Sequence, residues 1–131
     1  MGTDSNSDGE RRQVRMLIVD DSNIVRRRIE RSQRFGEIEV IGTASNGVEA
    51  LELARRMDPD LVTMDLTMPQ MDGIECISKL IELKPSMRIL VISALADKAT
   101  AVQAMEQGAN GFLHKPFTDR QLNDAIDELI F

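Results

Sequence analysis

The sequence predicts one α/β domain in which a parallel sheet of five strands is covered by helices on both faces, a doubly wound arrangement. Short, almost wholly apolar segments alternate five times with segments whose apolar residues have helical spacing. Such alternation implies right-handed crossovers and a parallel sheet. A chain of 131 residues suits one core. We expect a domain over residues 14–131, preceded by a polar, disordered tail over residues 1–13.

Five segments have the apolar character of strands in a parallel sheet that is buried on both faces. The predicted strands are Val14–Val19, Glu39–Ala44, Leu61–Met64, Arg88–Ser93 and Gly111–His114. The third strand is the clearest: Asp65 ends it, and Pro69 forces a turn four residues later.

The first two helices follow polar caps. Ser22 or Asn23 caps the first, which is expected to run to about Arg34. The second follows the Asn46-Gly47 turn and ends near Met57. The residues expected to face inward on these two helices are Ile24, Val25 and Ile29, and then Val48, Leu51 and Ala54.

Each of the remaining three helices also has a start or a stop signal. The third begins after Gly73 and is closed by Pro85. The fourth spans about Lys98 to Gln107, and Gly108 suits its C-cap. A capping box of Thr118 and Gln121 starts the fifth. The apolar residues of the third and fifth helices are Ile74, Ile77, Leu80 and Ile81, and then Leu122, Ala125, Ile126 and Leu129.

Composition excludes several classes of function. A formal net charge of −6 argues against a nucleic-acid surface, and the absence of Tyr and Trp argues against a flavin stacked between rings. The single cysteine, Cys76, rules out an internal disulfide and fits a reducing cytoplasm. No apolar run approaches the roughly 20 residues that a bilayer span needs, and the first residues lack the apolar stretch of a secretory signal.

Three aspartates follow two of the predicted strands. Asp20 and Asp21 come directly after the first strand, and Asp65 comes after the third. The carboxyl ends of these strands should lie side by side at the centre of the sheet, where such folds bind ligands. Carboxylates this close repel one another unless a cation intervenes, and Mg²⁺ prefers oxygen ligands. The pattern therefore predicts a magnesium site.

A hydroxyl and an ammonium group should reach the same edge of the sheet. Ser93 ends the fourth strand, and Lys115 follows the fifth. Both groups suit phosphoryl oxygens, and the lysine would partly offset the acidic residues.

With these residues in place, the chain resembles the receiver domain of two-component response regulators, most of all its stand-alone, CheY-like members. The matching segments are IVDDS at 18–22, MDLTMPQMDG at 64–73, VISA at 91–94 and GANGFLHKPF at 108–117. The resemblance extends over about residues 14–131 and implies a flavodoxin-like strand order, 2-1-3-4-5.

The resemblance also implies the chemistry. Asp65 would be the phosphoacceptor, taking a phosphoryl group from a phosphohistidine on a partner histidine kinase or phosphotransfer domain. Mg²⁺ would be held by Asp20, Asp21 and Asp65 together with the backbone carbonyl of Thr67. Lys115 would contact the phosphoryl group, and its peptide bond to Pro116 would be cis. The domain would promote only its own phosphorylation and dephosphorylation.

The same resemblance implies a switch. Ser93 would move toward the phosphoryl group, and Phe112 would rotate into the space that this opens. The fourth helix, fifth strand and fifth helix would then present an altered face to a downstream protein. Phe112 replaces the tyrosine that is common in chemotaxis relatives, so it offers no hydroxyl. Leu95 would exclude hydrolytic water and favour a long-lived phosphoryl group.

The first helix carries a basic cluster that suits a docking face for the phosphoryl donor. Its members are Arg26, Arg27, Arg28, Arg31 and Arg34. The alternative is a solvated face whose arginines pair with acids such as Glu30.

Three other functions remain open at this point. An FMN carrier would share the fold, but its phosphate loop should favour glycine and hydroxyl residues over Asp20-Asp21. An aspartate-dependent phosphatase would need a second aspartate at the position of Thr67. A binding module of the same shape would not use phosphorylation at all. The downstream role is open too: a flagellar motor switch, a relay intermediate and a phosphate sink would share this sequence pattern.

Overall fold

A computed structural model describes residues 13–33, 37–68, 71–95 and 97–130. Strands and helices alternate along the chain, as the sequence predicts. The strands are β1 (Val14–Val19), β2 (Ile38–Ala44), β3 (Leu61–Met64), β4 (Arg88–Ser93) and β5 (Gly111–His114). The helices are α1 (Asn23–Arg31), α2 (Gly47–Met57), α3 (Gly73–Leu83), α4 (Lys98–Glu106) and α5 (Asp119–Ile130).

The strands form one parallel sheet in the order β2-β1-β3-β4-β5, which confirms the predicted 2-1-3-4-5 topology. The register places the last residue of β1, Val19, beside Met64 at the end of β3. The residues that follow these two strands therefore leave the sheet at the same edge, which we call the carboxyl edge.

Two apolar clusters pack on opposite faces of the sheet, because alternate strand residues point to opposite sides. On one face, Leu17 and Val19 of β1 join buried residues of α2, α3 and α4. On the other, Met16 and Ile18 join buried residues of α1 and α5. Both faces are covered, so the strands are apolar almost throughout.

Side-chain caps fix where the helices start. Ser22 Oγ accepts a hydrogen bond from the backbone N–H of Val25, and Thr118 and Gln121 form the predicted capping box. Gly108 follows the end of α4 with a φ of +121°, which glycine adopts without strain. The helices of a parallel sheet begin at its carboxyl edge, so the N-terminal caps lie at the same edge as the acidic residues, whereas Gly108 lies at the opposite edge.

Several sequence predictions are wrong in detail. Ile24 and Val48 were expected to face inward, but they are 79% and 53% exposed. Each lies in the first turn of its helix, beyond the reach of the opposing sheet. α1 ends at Arg31, three residues earlier than predicted, and β2 starts one residue earlier, at Ile38. The predictions for the tail up to residue 12, for Arg34 and for Pro69 lie outside the described residues.

Within the described ranges, no helix combines the length and the apolar character that crossing a membrane requires.

Candidate functional site

The acidic trio of Asp20, Asp21 and Asp65 comes together at the carboxyl edge. One carboxylate oxygen from each lies within 4.8 Å of the others. Asp20 and Asp65 are buried, with 1% and 3% of their surface exposed, whereas Asp21 is exposed. One side of the trio is therefore open to solvent, and the other is enclosed by the sheet.

Backbone hydrogen bonds at the strand ends fix the two buried aspartates. The Asp65 N–H donates to the Val19 carbonyl at 2.9 Å, which extends the β1–β3 ladder by one residue. The Asp20 N–H donates to the Ala44 carbonyl at 3.0 Å. Asp20 Oδ1 also accepts from the Ser22 N–H at 2.8 Å, so its carboxylate is held toward the start of α1.

Lys115 supplies the positive charge nearest to the trio. Its Nζ lies 2.8 Å from Asp20 Oδ2 and 3.7 Å from Asp65 Oδ1. The Lys115 N–H donates to the Ser93 carbonyl at 2.9 Å, which anchors the residue just beyond β5. The Lys115–Pro116 peptide bond is cis, as the family resemblance implies.

The electrostatics of the site favour an added cation. The pKa of Asp65 is raised from 3.8 to about 6, because burial and then the nearby charge of Asp20 raise it more than Lys115 lowers it. One lysine therefore does not compensate for the negative charge of the buried pair. Three carboxylates with hard oxygen donors fit Mg²⁺, which would relieve this repulsion.

Ser93 and Thr67 lie next to the trio in different environments. Ser93 is completely buried, and its Oγ accepts a hydrogen bond from the Leu95 N–H at 3.0 Å. Thr67 is exposed, and its N–H makes a long hydrogen bond of 3.4 Å to Asp65 Oδ1. The acidic trio, Thr67, Ser93 and Lys115 therefore all lie at the carboxyl edge of the sheet.

Phe112 lies in β5 beside Val91 of β4, which is two residues before Ser93. It is half-buried against the apolar cluster that includes α4. Its ring meets His114 edge-on, with the centroids 5.1 Å apart. Phe112 is thus partly exposed and has apolar neighbours on its inner side.

Two residues support the site in ways that the sequence patterns did not predict. An added Cβ at Gly73 would lie 2.5 Å from the Asp65 carbonyl oxygen and 2.6 Å from Leu66 Cα, so α3 can pack against the acidic loop only with glycine there. The Arg26 guanidinium donates to the Asp20 carbonyl at 2.6 Å and to Asn23 Oδ1 at 2.8 Å. The Asp72-Gly73 pair at the start of α3 indicated a turn there, but no sequence pattern predicted the contact of Arg26 with the Asp20 carbonyl.

The predicted basic cluster of α1 divides into two groups. Arg26 is tied to the Asp20 loop, and Arg28 lies over the Phe117 ring at 4.7 Å and donates to the Phe117 carbonyl. Arg27 and Arg31 are exposed on the outer face of the helix. Among the described members of the cluster, Arg27 and Arg31 are the exposed pair and have the solvent access that a docking role requires.

Cys76 has no part in this chemistry. It is fully buried in α3, and burial raises the pKa of its thiol to about 12. It packs as a small apolar residue, as predicted.

The fold and the acidic site together define a receiver-type signalling domain, and comparison with known proteins agrees. The family model for the response regulator receiver domain matches residues 16–127. The chain belongs to this family. Membership favours the receiver over the flavin carrier and the phosphatase that the sequence left open.

Individual relatives point to the CheY type. The chain is 37% identical over 115 residues to the chemotaxis protein CheY of Thermotoga maritima, covering 88% of this chain and 96% of that protein. It superposes with a TM-score of 0.83 and 31% identity on the crystal structure of a CheX-CheY-BeF3-Mg complex from Borrelia burgdorferi, covering 87% of each chain. This homology is consistent with phosphorylation-dependent signalling.

A third relative contains more than a receiver. The chain is 43% identical over 122 residues to a protein-glutamate methylesterase/protein-glutamine glutaminase of Photobacterium profundum, but the match covers only 30% of that protein. The similarity therefore supports a signalling domain of the CheY type and is not evidence for esterase activity in this chain.

Proposed function

We propose that this domain is switched by accepting a phosphoryl group on Asp65. One observation carries the proposal: two buried carboxylates, Asp20 and Asp65, share a single lysine at the open edge of the sheet. The similar Borrelia structure is a complex with BeF3 and Mg, which also supports the proposal. The proposed receiver domain extends over residues 14–131, after a tail of residues 1–13.

Asp20, Asp21 and Asp65 would hold Mg²⁺, with the Thr67 carbonyl as a further ligand. When bound, the ion neutralises charge between the carboxylates and an incoming phosphoryl group. Burial of Asp20 and Asp65 strengthens this effect, because charges interact more strongly away from water.

Phosphoryl transfer requires an ionised Asp65. Its carboxylate oxygen attacks the phosphorus of a phosphohistidine on a partner kinase or phosphotransfer domain, which forms an acyl phosphate. The phosphorus–nitrogen bond breaks, and its electron pair returns to the imidazole. Lys115 is placed to contact the transferred oxygens, because its Nζ already lies 3.7 Å from Asp65 Oδ1.

The domain acts on itself and not on other substrates. It promotes its own phosphorylation, and it loses the group when water attacks the acyl phosphate. Thr67 stands where an aspartate-dependent phosphatase would need a second carboxylate. Leu95 would restrict water near the phosphoryl group and extend its lifetime.

The output is an altered surface. Ser93 would turn toward the phosphoryl group, and Phe112 would follow inward from its half-buried position. The face formed by α4, β5 and α5 would then bind a downstream protein in the cytoplasm. A motor switch, a further relay protein and a phosphate sink are all compatible with this output.

Incubation with Mg²⁺ and acetyl phosphate, followed by intact-mass measurement, tests the proposal. We expect one added phosphoryl group, which is lost in Asp65→Asn and without Mg²⁺. Asp58→Asn, at the opposite edge of the sheet, should be labelled normally. If neither acetyl phosphate nor beryllium fluoride modifies the native protein, the phosphoacceptor role is refuted and the binding-module alternative replaces it.

A further inference from the structure

A cleft of about 530 Å³ lies between α3 and α4, next to the acidic site. Asp72, Ile74 and Glu75 line it from the α3 side, and Thr100 and Gln103 line it from the α4 side. Its remaining wall includes Leu66 and Leu95. We call this region the α3–α4 cleft.

The two leucines of the cleft are both tied to the phosphorylation machinery. Leu66 follows Asp65 directly and is buried. Leu95 is 38% exposed, and its N–H donates to Ser93 Oγ at 3.0 Å. If Ser93 turns toward a phosphoryl group on Asp65, this hydrogen bond must break or carry Leu95 with it. Either outcome changes the hydrogen bond that holds Leu95 in the cleft wall, which links the cleft to the state of Asp65.

The charge of the cleft selects the kind of partner. Asp72 and Glu75 line it, and none of its described lining residues is basic. Asp72 Oδ1 caps α3 by accepting from the Glu75 N–H, but the Glu75 carboxylate is exposed. An occupant with a cationic group beside an apolar side chain would pair with the acids and cover the leucines.

The opposite side of the molecule has the reverse charge. A cleft between α1 and α5 is lined by Arg28, Arg31 and Arg120, with Asp119 as its acid. A partner that suits this basic cleft is therefore unsuited to the α3–α4 cleft. The two clefts can serve different partners.

We propose that the α3–α4 cleft is a docking groove for a protein segment that carries a lysine or arginine next to a leucine-like residue, and that phosphorylation tunes its affinity through the Ser93–Leu95 hydrogen bond. This proposal rests on the proposed function, because Ser93 moves only if Asp65 is modified. It adds a second output surface to the face of α4, β5 and α5.

The test uses fluorescein-labelled octapeptides in a glycine–serine background that carry one leucine and two lysines in every arrangement. Anisotropy is recorded with and without beryllium fluoride and Mg²⁺, and ¹⁹F NMR reports separately whether the fluoride is bound. We expect members of the set to bind at least about fivefold more tightly when beryllium fluoride and Mg²⁺ are present. A set with glutamate in place of lysine should not bind.

Two charge reversals on α3 provide the matched comparison. Glu75→Lys should weaken binding about tenfold or more, because it places like charges together. Glu82→Lys, which is exposed on the same helix but outside the cleft, should leave binding unchanged. Thermal unfolding of both variants shows whether either has lost its fold.

Three results would overturn the docking-groove proposal. They are bound beryllium fluoride with no peptide that binds more tightly, equal affinity for the lysine and glutamate peptide sets, or equal weakening of binding by Glu75→Lys and Glu82→Lys. Absence of the bound ¹⁹F signal would instead refute the proposed function, and the phosphorylation coupling with it.

Discussion

The two edges of the sheet each carry a lysine that bridges two aspartates. At the opposite edge, where the strands begin and which we call the amino edge, Lys84 Nζ lies 3.1 Å from Asp58 Oδ1 and 3.5 Å from Asp60 Oδ1. At the carboxyl edge, Lys115 Nζ lies 2.8 Å from Asp20 and 3.7 Å from Asp65. The lysine side chains are similarly exposed, at 24% and 20%.

The difference lies in the aspartates. The side chains of Asp58 and Asp60 are 78% and 29% exposed, so water solvates their charge. Those of Asp20 and Asp65 are 1% and 3% exposed. The same arrangement of one lysine and two aspartates therefore forms solvated ion pairs at the amino edge. At the carboxyl edge it leaves negative charge that the lysine does not compensate. Burial, and not the choice of residues alone, prepares the carboxyl edge for a cation.

Replacing each lysine with methionine separates the two cases. Lys115→Met should lower the free energy of unfolding by about 3 kcal/mol in metal-free solution at neutral pH, because it leaves buried carboxylates without a cation. Lys84→Met should lower it by about 1 kcal/mol or less, because its partners are solvated. Urea unfolding of both variants measures the difference. Equal losses would show that burial does not distinguish the edges.

Asp65→Asn should stabilise the metal-free protein in a pH-dependent way. The pKa of Asp65 is raised from 3.8 to about 6 in the folded state, so the folded state binds its proton more tightly. The stability from this group is complete below about pH 3.8 and is lost as pH rises through 6. The advantage of the asparagine variant should therefore grow to about 3 kcal/mol at pH 7.

Unfolding curves of the native protein and Asp65→Asn between pH 4 and 8 test this sign. Asp58→Asn at the amino edge provides the control for removal of an aspartate charge at an exposed position. An advantage for Asp65→Asn that shrinks as pH rises would contradict the raised pKa.

Gly73→Ala should destabilise the protein by about 2 kcal/mol, because the new Cβ would meet backbone atoms of Asp65 and Leu66. Gly42→Ala is the matched variant, since its Cβ would make only ordinary contacts of 3.6 Å or more. Its effect should stay within about 0.5 kcal/mol. Similar losses in thermal unfolding would mean that the close approach of α3 to the acidic loop is not a constraint.

Reversing the exposed charges of α1 tests the docking of the phosphoryl donor. Arg27→Glu with Arg31→Glu should slow transfer from a cognate phosphotransfer partner about tenfold and reduce its salt dependence. Arg55→Glu with Arg56→Glu makes the same charge change on α2 and should have a smaller effect. Unchanged transfer kinetics in the α1 variant would leave its arginines as a solvated face.

Much of the fold was predictable because the buried strands have unambiguous limits. β3 and β4 were predicted to the residue, since each is an apolar run that a polar side chain ends. The errors at Ile24 and Val48 have one cause: both lie in the first turn of a helix, where no layer faces them. Periodicity records which side of a helix is apolar but not how far the opposing sheet extends.

The residues of the candidate site could be predicted from the sequence, but the contacts and the burial that hold and tune them could not. Strand ends place Asp20, Asp65 and Lys115 at one edge, and topology suffices to bring them together. The contact of Arg26 with the Asp20 carbonyl depends on a side-chain conformation that no pattern encodes. The raised pKa of Asp65 likewise depends on burial, which only the packed structure provides.

The central claim is that the buried carboxylates of the carboxyl edge form one magnesium site. Calorimetric titration of Mg²⁺ into the native protein, Asp20→Asn and Asp58→Asn tests it most directly. We predict one site in the native protein, retained in Asp58→Asn and lost or weakened at least about tenfold in Asp20→Asn. Equal Mg²⁺ binding by the native protein and Asp20→Asn would contradict the claim.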